Sequence, residues 1–473
     1  MLPPPLLDEI ALAAPGPRTV AFFDMDGTLV AGFTAFAFAL ERMRRPAPAD
    51  IGVGAMALQY QLGRVDFSDL LRASAKAMAG STTEEVAEIA RAVYEDQIAS
   101  WVYPEARSII QNHRSRGHQV VLISAANEFQ VVHVAADLGV DHVISNRLEV
   151  DDDGHLTGEV ETPIVHGSGK AARAVEFAEA RGFDLAEAFF YTDGYEDLPL
   201  LELVGHPQPL NPDRRLAREA RRRGWTEASF ESRGRPTRSQ IARTVMAQAS
   251  VLPAATAGLM TGLLNRSKRQ AVDLTMSTWG DYATSLAGVR LEVTGGQHLW
   301  SDRPCVFMFN HQSNFDGLIL MKLLRENVTA VAKAELRHLP IIGMIFALGD
   351  VVFIDRSDTE ESVKALSEAA DTLRSGISIA IAPEGSRQRT TRLGDFKKGG
   401  FHLAVAAQVP IVPIVIHNSL DVLPRGSVVL RPGSVRVDVL DPVRSADLGP
   451  ADVPALVRDV RARFLEALGQ ASA

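Results

Sequence analysis

Asp24 and Asp26 flank a single methionine in Phe22-Phe23-Asp24-Met25-Asp26-Gly27-Thr28. Carboxylates spaced this way at the end of an apolar run reach one pocket across a turn. Two anions that close repel unless a cation or a proton is present. Asp193 and Asp197, in Thr192-Asp193-Gly194-Tyr195-Glu196-Asp197, offer further carboxylates. Magnesium, which prefers hard oxygen ligands, would supply the positive charge. Lys170 can neutralise a phosphoryl oxygen, and Ser124 can donate a hydrogen bond to it. Covalent catalysis by a carboxylate follows: Asp24 attacks phosphorus, and Asp26 protonates the leaving oxygen and later activates water. Acidic turn residues capping helices would explain Asp197 but not the ensemble.

A second set begins at Asn310-His311-Gln312-Ser313-Asn314-Phe315-Asp316. An aspartate near the imidazole would fix its tautomer and stabilise the imidazolium as it takes a proton. Such a base could deprotonate a hydroxyl for attack on a thioester. A histidine-aspartate pair alone is weak evidence, because most are structural. The later segments strengthen it. Pro383-Glu384-Gly385-Ser386-Arg387 and Val351-Val352-Phe353-Ile354-Asp355-Arg356 each end an apolar run in a turn carrying an arginine, and Phe396-Lys397-Lys398-Gly399 adds cations. Arginine suits bidentate phosphate recognition, so Arg356 and Arg387, with Lys397, could hold a glycerol phosphate.

The elements that must position these residues are legible as apolar runs. Arg18–Phe23, Gln119–Ile123 and Ala188–Thr192 read as buried parallel strands, and Asp24, Ser124 and Asp193 fall at their ends. Strand-helix alternation implies an α/β sheet whose ligands gather outside the carboxyl ends of the strands. Residues 31–103 are too long for a plain crossover and read as a mostly helical cap. A β-hairpin is expected around Asp151-Asp152-Asp153-Gly154-His155. The polar stretch 227–240 reads as a linker, giving domains at 1–226 and 241–473. Thr244–Asn265 contains no charged residue and is bracketed by Arg243 and by Arg266, Lys268 and Arg269. It just reaches the roughly 20 residues that span a bilayer. Gln248, Pro253, Gly258 and Gly262 make a helical hairpin dipping into one leaflet the preferred reading, with membrane-associated helices over about 241–286. A buried soluble helix is the alternative.

At 473 residues the chain exceeds the size at which one core keeps growing. The net charge of -9 argues against nucleic acid as a main partner. The arginine run between 214 and 223 has the spacing of a solvated helix face. Cys305, the one cysteine, sits in a strand-like run and reads as an inert core thiol in a reducing compartment. The N-terminus has no charged region followed by an apolar run, so no secretory signal is expected.

The first motif set resembles the haloacid dehalogenase superfamily of phosphatases, in the branch containing phosphoserine phosphatases, over about 19–225. The resemblance implies a Rossmann-like domain with a helical cap, and Asp24 as nucleophile with Asp26 as acid/base. It implies Mg2+ held by Asp24, the Asp26 carbonyl and Asp193, with Asp197 as a second acidic position and Ser124 and Lys170 at the phosphate. One departure matters. Residues 31–40 carry no acid to pair the ammonium of phosphoserine, so an apolar or lipid phosphate is expected instead. The second set resembles the glycerolipid acyltransferases, in particular those acting on lysophosphatidate, over about 274–440. It implies an α/β domain with His311 as base, Asp316 as its partner, and Lys333, Arg356, Glu384, Gly385, Ser386 and Arg387 at the substrates. Together these imply a bifunctional enzyme of glycerophospholipid synthesis at the cytoplasmic face of the membrane, using acyl-CoA or acyl-ACP. A homodimer is compatible with this reading. A non-catalytic N-terminal sensor, or a different lysophospholipid or glycolipid acceptor, are the competing expectations.

Overall fold

The computed structural model describes residues 4–43, 64–230, 236–333, 352–354 and 359–470, with single positions between 53 and 59 and at 232–233. The chain divides into two compact units, Met1–Arg235 and Pro236–Ala473.

The first unit carries β1 (Val20–Phe23), β2 (Gln119–Asn127), β3 (His142–Asn146), β4 (Leu148–Val150), β5 (Leu156–Val160), β6 (Phe189–Thr192) and β7 (His206–Pro209). Five of them form a parallel sheet in the order β3-β2-β1-β6-β7. Side chains alternate across it. Ala21 and Phe23 enter one core while Val20 and Phe22 enter another, which is why β1 is apolar throughout rather than at every second position. The cap contains α1 (Thr34–Met43), α2 (Phe67–Ala77) and α3 (Thr83–Asp96). Asp66 caps α2 through the Phe67 amide, and Thr82 and Glu85 form a capping box on α3. The expected hairpin is β4-β5, and it joins the cap: the Gly80 amide donates to the Leu156 carbonyl, and the Leu156 amide to that of Ser81. Behind the sheet, α4 (Ser168–Arg181) brings Lys170 to the C-terminal end of β1.

Part of the stretch expected as a linker is pinned to the first unit. Asn211 accepts from the Phe230 amide at 2.6 Å, and the Ala228 amide donates to the Pro209 carbonyl. The arginine-rich helix Arg214–Arg223 buries only Leu216 and Ala220, and Arg222 and Arg223 pair with Glu219 on its surface.

The second unit opens with α5 (Arg238–Ala249), α6 (Val251–Asn265) and α7 (Lys268–Ala287). Pro253 is tolerated because it lies in the first turn of α6, where no helical hydrogen bond is lost. Arg266, at φ 50°, turns the chain so that α6 packs back on α7 as a helical hairpin. A Cβ at Gly258 would stand 2.0 Å from the Thr275 hydroxyl, so that glycine sets the close approach. The opposite side of α6 is open: Leu252, Leu259, Met260, Leu263 and Leu264 are all exposed, which disagrees with a buried soluble helix. The strands β8 (Val289–Thr294), β9 (Val306–Phe309), β10 (Val328–Lys333), β11 (Val352–Ile354), β12 (Ser378–Ile381), β13 (Ile411–Ile416) and β14 (Gly433–Val439) form a sheet in the order β11-β10-β12-β9-β13-β14-β8. Only β13-β14 is antiparallel. Cys305 is fully buried, and burial pushes its thiol up to about 12, as befits an inert core residue.

Candidate active sites

Asp24 follows β1 directly, and its amide donates to the Tyr191 carbonyl at 2.9 Å, which ties the turn to β6. Its carboxylate accepts from Lys170 Nζ at 2.9 Å, and the same ammonium donates to Asp197 Oδ2 at 2.7 Å. Thr192 Oγ1 donates to that Asp197 oxygen at 2.6 Å. Burial works against the Lys170 charge, but Asp197 and Asp24 beside it win and raise its pKa above the usual lysine range. Burial pushes Asp24 up to about 6 despite the neighbouring ammonium. Asp26 points elsewhere. Its carboxylate accepts from the Thr34 amide at 3.0 Å and the Thr34 hydroxyl at 3.1 Å, at the start of α1, and burial pushes it up to about 7. That range suits a group that gives and takes protons at neutral pH. Asp193 is raised well above the ordinary carboxylate range, first by burial and then by Asp24 and Glu196. A Cβ at Gly27 would lie 2.0 Å from Asp193 Oδ2, and Gly27 has φ 77°, so only glycine fits between the two loops.

Asp24, Asp26, Ser124, Lys170 and Asp193 all line one cavity, and Glu196 joins them. Asp197 stands behind Lys170 with its Oδ1 buried and unpartnered. Among the described residues no three His, Cys, Asp or Glu side chains converge as a closed metal cage. The carboxylates of Asp24 and Asp193 line the cavity beside Asp26, and such hard oxygens suit magnesium, which keeps water or phosphate oxygens in its remaining positions. Asp24, Asp193 and the Asp26 carbonyl are the candidates. The Asp26 carboxylate is held by Thr34, which leaves its carbonyl as the expected ligand, and Asp197 Oδ2 is held by Lys170 and Thr192.

In the second unit His311 follows β9 after one residue, Asn310. The Asn310 side chain is buried, donates to the Ile416 carbonyl at 2.8 Å and accepts from the Ile416 amide at 2.7 Å. His311 Nδ1 lies 2.8 Å from Asp316 Oδ2, at the N-terminus of α8 (Asp316–Leu324). That same oxygen accepts from the Gln312 amide at 2.8 Å and the Ser313 amide at 2.9 Å. With Nδ1 engaged, Nε2 is the atom left for proton transfer, on a side chain 28% exposed.

Glu384 stands against the His311 turn. It is buried, with Oε1 accepting from the His311 amide and Oε2 from the Gly394 amide, each at 2.8 Å. Both oxygens hold backbone, one of them the His311 amide, so the carboxylate positions the His311 turn. Burial pushes it up to about 7. Gly385 takes φ 77° in the turn, and Ser386 and Lys397 are exposed. Arg387 donates to Asn314 Oδ1, beside the His311 turn. Burial lowers the Arg387 pKa first and the nearby Arg425 guanidinium second. The loop carrying Arg425 is tied to the same turn, because Ser313 Oγ donates to the Leu423 carbonyl at 2.8 Å. Lys333 ends β10, but its side chain lies outside the described residues, as does Arg356.

Sequence reasoning missed Thr34, Glu196, Asn310 and Arg425. Thr34 alone left a signal, a threonine opening a helical run.

Residues 21–202 match the family model of haloacid dehalogenase-like hydrolases, and residues 290–417 match the model named Acyltransferase. The chain is 35% identical over 228 residues to the "Inhibition of morphological differentiation protein" of Streptomyces azureus, covering 81% of that protein and 47% of this one. It is likewise 35% identical over 223 residues to the "Probable phosphatase" of Mycobacterium tuberculosis, covering 77% of that protein and 46% of this one. The chain joins a haloacid dehalogenase-like hydrolase domain to a domain of the acyltransferase type. For the acyltransferase half, the 1-acyl-sn-glycerol-3-phosphate acyltransferase alpha of Mus musculus is 39% identical over 186 residues. That match covers 39% of this chain, and the chain spans 65% of the mouse protein's length. The hydrolase motif at Asp24 and the acyltransferase motif at His311 both fall inside the matched segments.

Proposed function

We propose that the chain is a bifunctional enzyme of glycerophospholipid synthesis. In its C-terminal unit His311 Nε2 takes the proton of a lysophosphatidate hydroxyl as that oxygen attacks the carbonyl of acyl-CoA or acyl-ACP. The oxygen-carbonyl bond forms, the thiolate leaves and takes up the proton, and phosphatidate results. Asp316 holds the imidazole in its working tautomer and stabilises the imidazolium. Arg387, with Arg356, Lys333 and Lys397, receives the acceptor phosphate. The observation carrying this reading is the fixed imidazole, with Nδ1 on a buried carboxylate and the His311 amide on a second one.

In the N-terminal unit Asp24 attacks phosphorus, Asp26 gives its proton to the leaving oxygen, and Asp26 then takes a proton from the water that cleaves the aspartyl phosphate. Ser124 and Lys170 hold the phosphoryl oxygens. Magnesium, held by Asp24, Asp193 and the Asp26 carbonyl, would neutralise charge on the phosphoryl group. Its substrate is a lipid phosphomonoester, lysophosphatidate or phosphatidate. One polypeptide raises the local concentration of each site's product at the other. The exposed apolar side of α6, flanked by cations, supports attachment to the cytoplasmic membrane face as a monotopic hairpin.

Purified protein incubated with lysophosphatidate, acyl-CoA and magnesium, with the lipids resolved, tests both halves. Phosphatidate and a dephosphorylated lipid are expected. Loss of phosphatidate alone in His311→Ala, and of dephosphorylated lipid alone in Asp24→Asn, assigns each reaction to its unit. A wild-type protein inert on a broad phosphate panel would favour a sensor role for the first unit. Arg387→Ala retaining full activity on acceptors without a free phosphate would favour a different acceptor.

A further inference from the structure

The cavity at Asp24 extends away from the carboxylates between two cap helices. α1 lines it with Ala35, Phe38 and Ala39, and α2 with Phe67, Leu70 and Leu71. Its volume is about 350 Å³, at the small end of pockets that take small molecules. Charge is concentrated at the phosphorus end, where Asp24, Asp26, Lys170, Asp193 and Glu196 stand. The cap's charged lining among the described residues is Arg42, eight residues beyond Thr34 on α1 and hence about 12 Å along the helix axis. Its guanidinium donates to the Ala77 carbonyl at the end of α2, at 2.8 Å, so it joins the far ends of the two helices.

These surroundings constrain the alcohol that leaves when the phosphoester is cleaved. Among the described residues the cap lines the cavity with no carboxylate that could pair an ammonium, and an unpaired buried charge is prohibitively costly. The walls reward apolar surface instead. Two acyl chains branching from adjacent carbons would not enter a slot of this size between two helices. Resting on the reading of the first unit as a phosphatase, we infer that its substrate is a phosphomonoester of an uncharged alcohol bearing one apolar chain, and that the cap excludes two-chain phosphates. Both halves then draw on the same single-chain lipid phosphate, and the hydrolase removes the acyltransferase's acceptor rather than its product.

Phosphate release by the full chain with magnesium is measured on acetyl phosphate, phosphoserine, glycerol 3-phosphate, its butanoyl, hexanoyl and octanoyl monoesters, and dioctanoyl phosphatidate. Each methylene that enters the slot should raise kcat/KM by up to about fourfold, with a plateau once the slot is full. Phosphoserine and dioctanoyl phosphatidate should fall below the octanoyl monoester by about 100-fold, the cost of a few kcal/mol of unmet burial. Ala39→Trp, which fills the slot, should lower the ratio of octanoyl monoester to acetyl phosphate turnover by about 60-fold, the worth of three buried methylenes. Phe38→Ala, which widens it, should raise the ratio of dioctanoyl phosphatidate to octanoyl monoester turnover. Acetyl phosphate turnover without any chain dependence, or dioctanoyl phosphatidate matching the monoester, overturns the inference and leaves the phosphatase standing. No release from any compound, acetyl phosphate included, overturns both.

Discussion

Replacing Glu384 by glutamine separates folding from catalysis. In the native protein its two oxygens accept from the amides of His311 and Gly394. Burial pushes the carboxyl from the usual 4.5 up to about 7. At about 1.4 kcal/mol per unit, keeping it charged costs on the order of 3 kcal/mol above that range. Glutamine removes this cost. It also sets its NH2 against one of the two amides, and an unsatisfied buried N–H costs about 1–3 kcal/mol. The opposing contributions nearly cancel, so the unfolding midpoint of Glu384→Gln should stay close to wild type above pH 7. Catalysis should not be spared. If the His311 amide is the one displaced, an error of about 1 Å in the base lowers kcat by about 100-fold, with the acceptor KM changed by no more than about twofold. The pH dependence carries a sign. A carboxyl with a raised native pKa holds an extra proton between about 4.5 and about 7, so its contribution to stability is present below that window and lost as pH rises through it. The difference in unfolding free energy between wild type and Glu384→Gln should therefore move against wild type as pH climbs from 4.5 to 7. Steady-state acyl transfer and urea unfolding across that range measure both effects. A large rise in acceptor KM with kcat unchanged would place Glu384 at the substrate and refute the clamp.

Three further outcomes follow from the same geometry. Asp316→Asn keeps an oxygen for the Gln312 and Ser313 amides but removes the charge facing the imidazolium; acyl-transfer kcat should fall by about 10³–10⁴-fold with little change in KM. Lys170→Met strips the buried carboxylates of Asp24 and Asp197 of their cation. The first unit should lose about 3–5 kcal/mol in urea unfolding together with its phosphate release. Gly27→Ala drives a methyl into Asp193 and should abolish phosphate release in a phosphate assay while acyl transfer continues.

The candidate reacting groups stand out because each sits where an apolar run stops. Phe23 to Asp24, Thr192 to Asp193 and Phe309 to His311 are abrupt changes from buried strand to charged or titratable side chain, and such changes are costly unless used. The helical cap was equally readable from its length and periodicity. What stayed hidden depends on contacts far apart in sequence. Nothing near Glu384 shows that its partners are the amides of His311 and Gly394 rather than a ligand. The need for glycine at 27 comes from Asp193, in another loop. Asp26 looked like a simple partner of Asp24 until Thr34, at the head of a cap helix, claimed its carboxylate. The turn residues 151–155 suggested a hairpin but could not say that it belonged with the cap.

Asn310 has one more consequence. A primary amide presents a donor edge and an acceptor edge side by side, much as a peptide unit does, and here both are spent on Ile416. The side chain serves as a transplanted rung of the ladder, so the main chain can swing out toward the imidazole without unzipping β9 from β13. Aspartate lacks the N–H, leucine lacks both edges, and glutamine overshoots by a methylene. Selection for altered acceptors should thus freely sample positions 314, 387 and 425, while returning asparagine at 310 in every active clone.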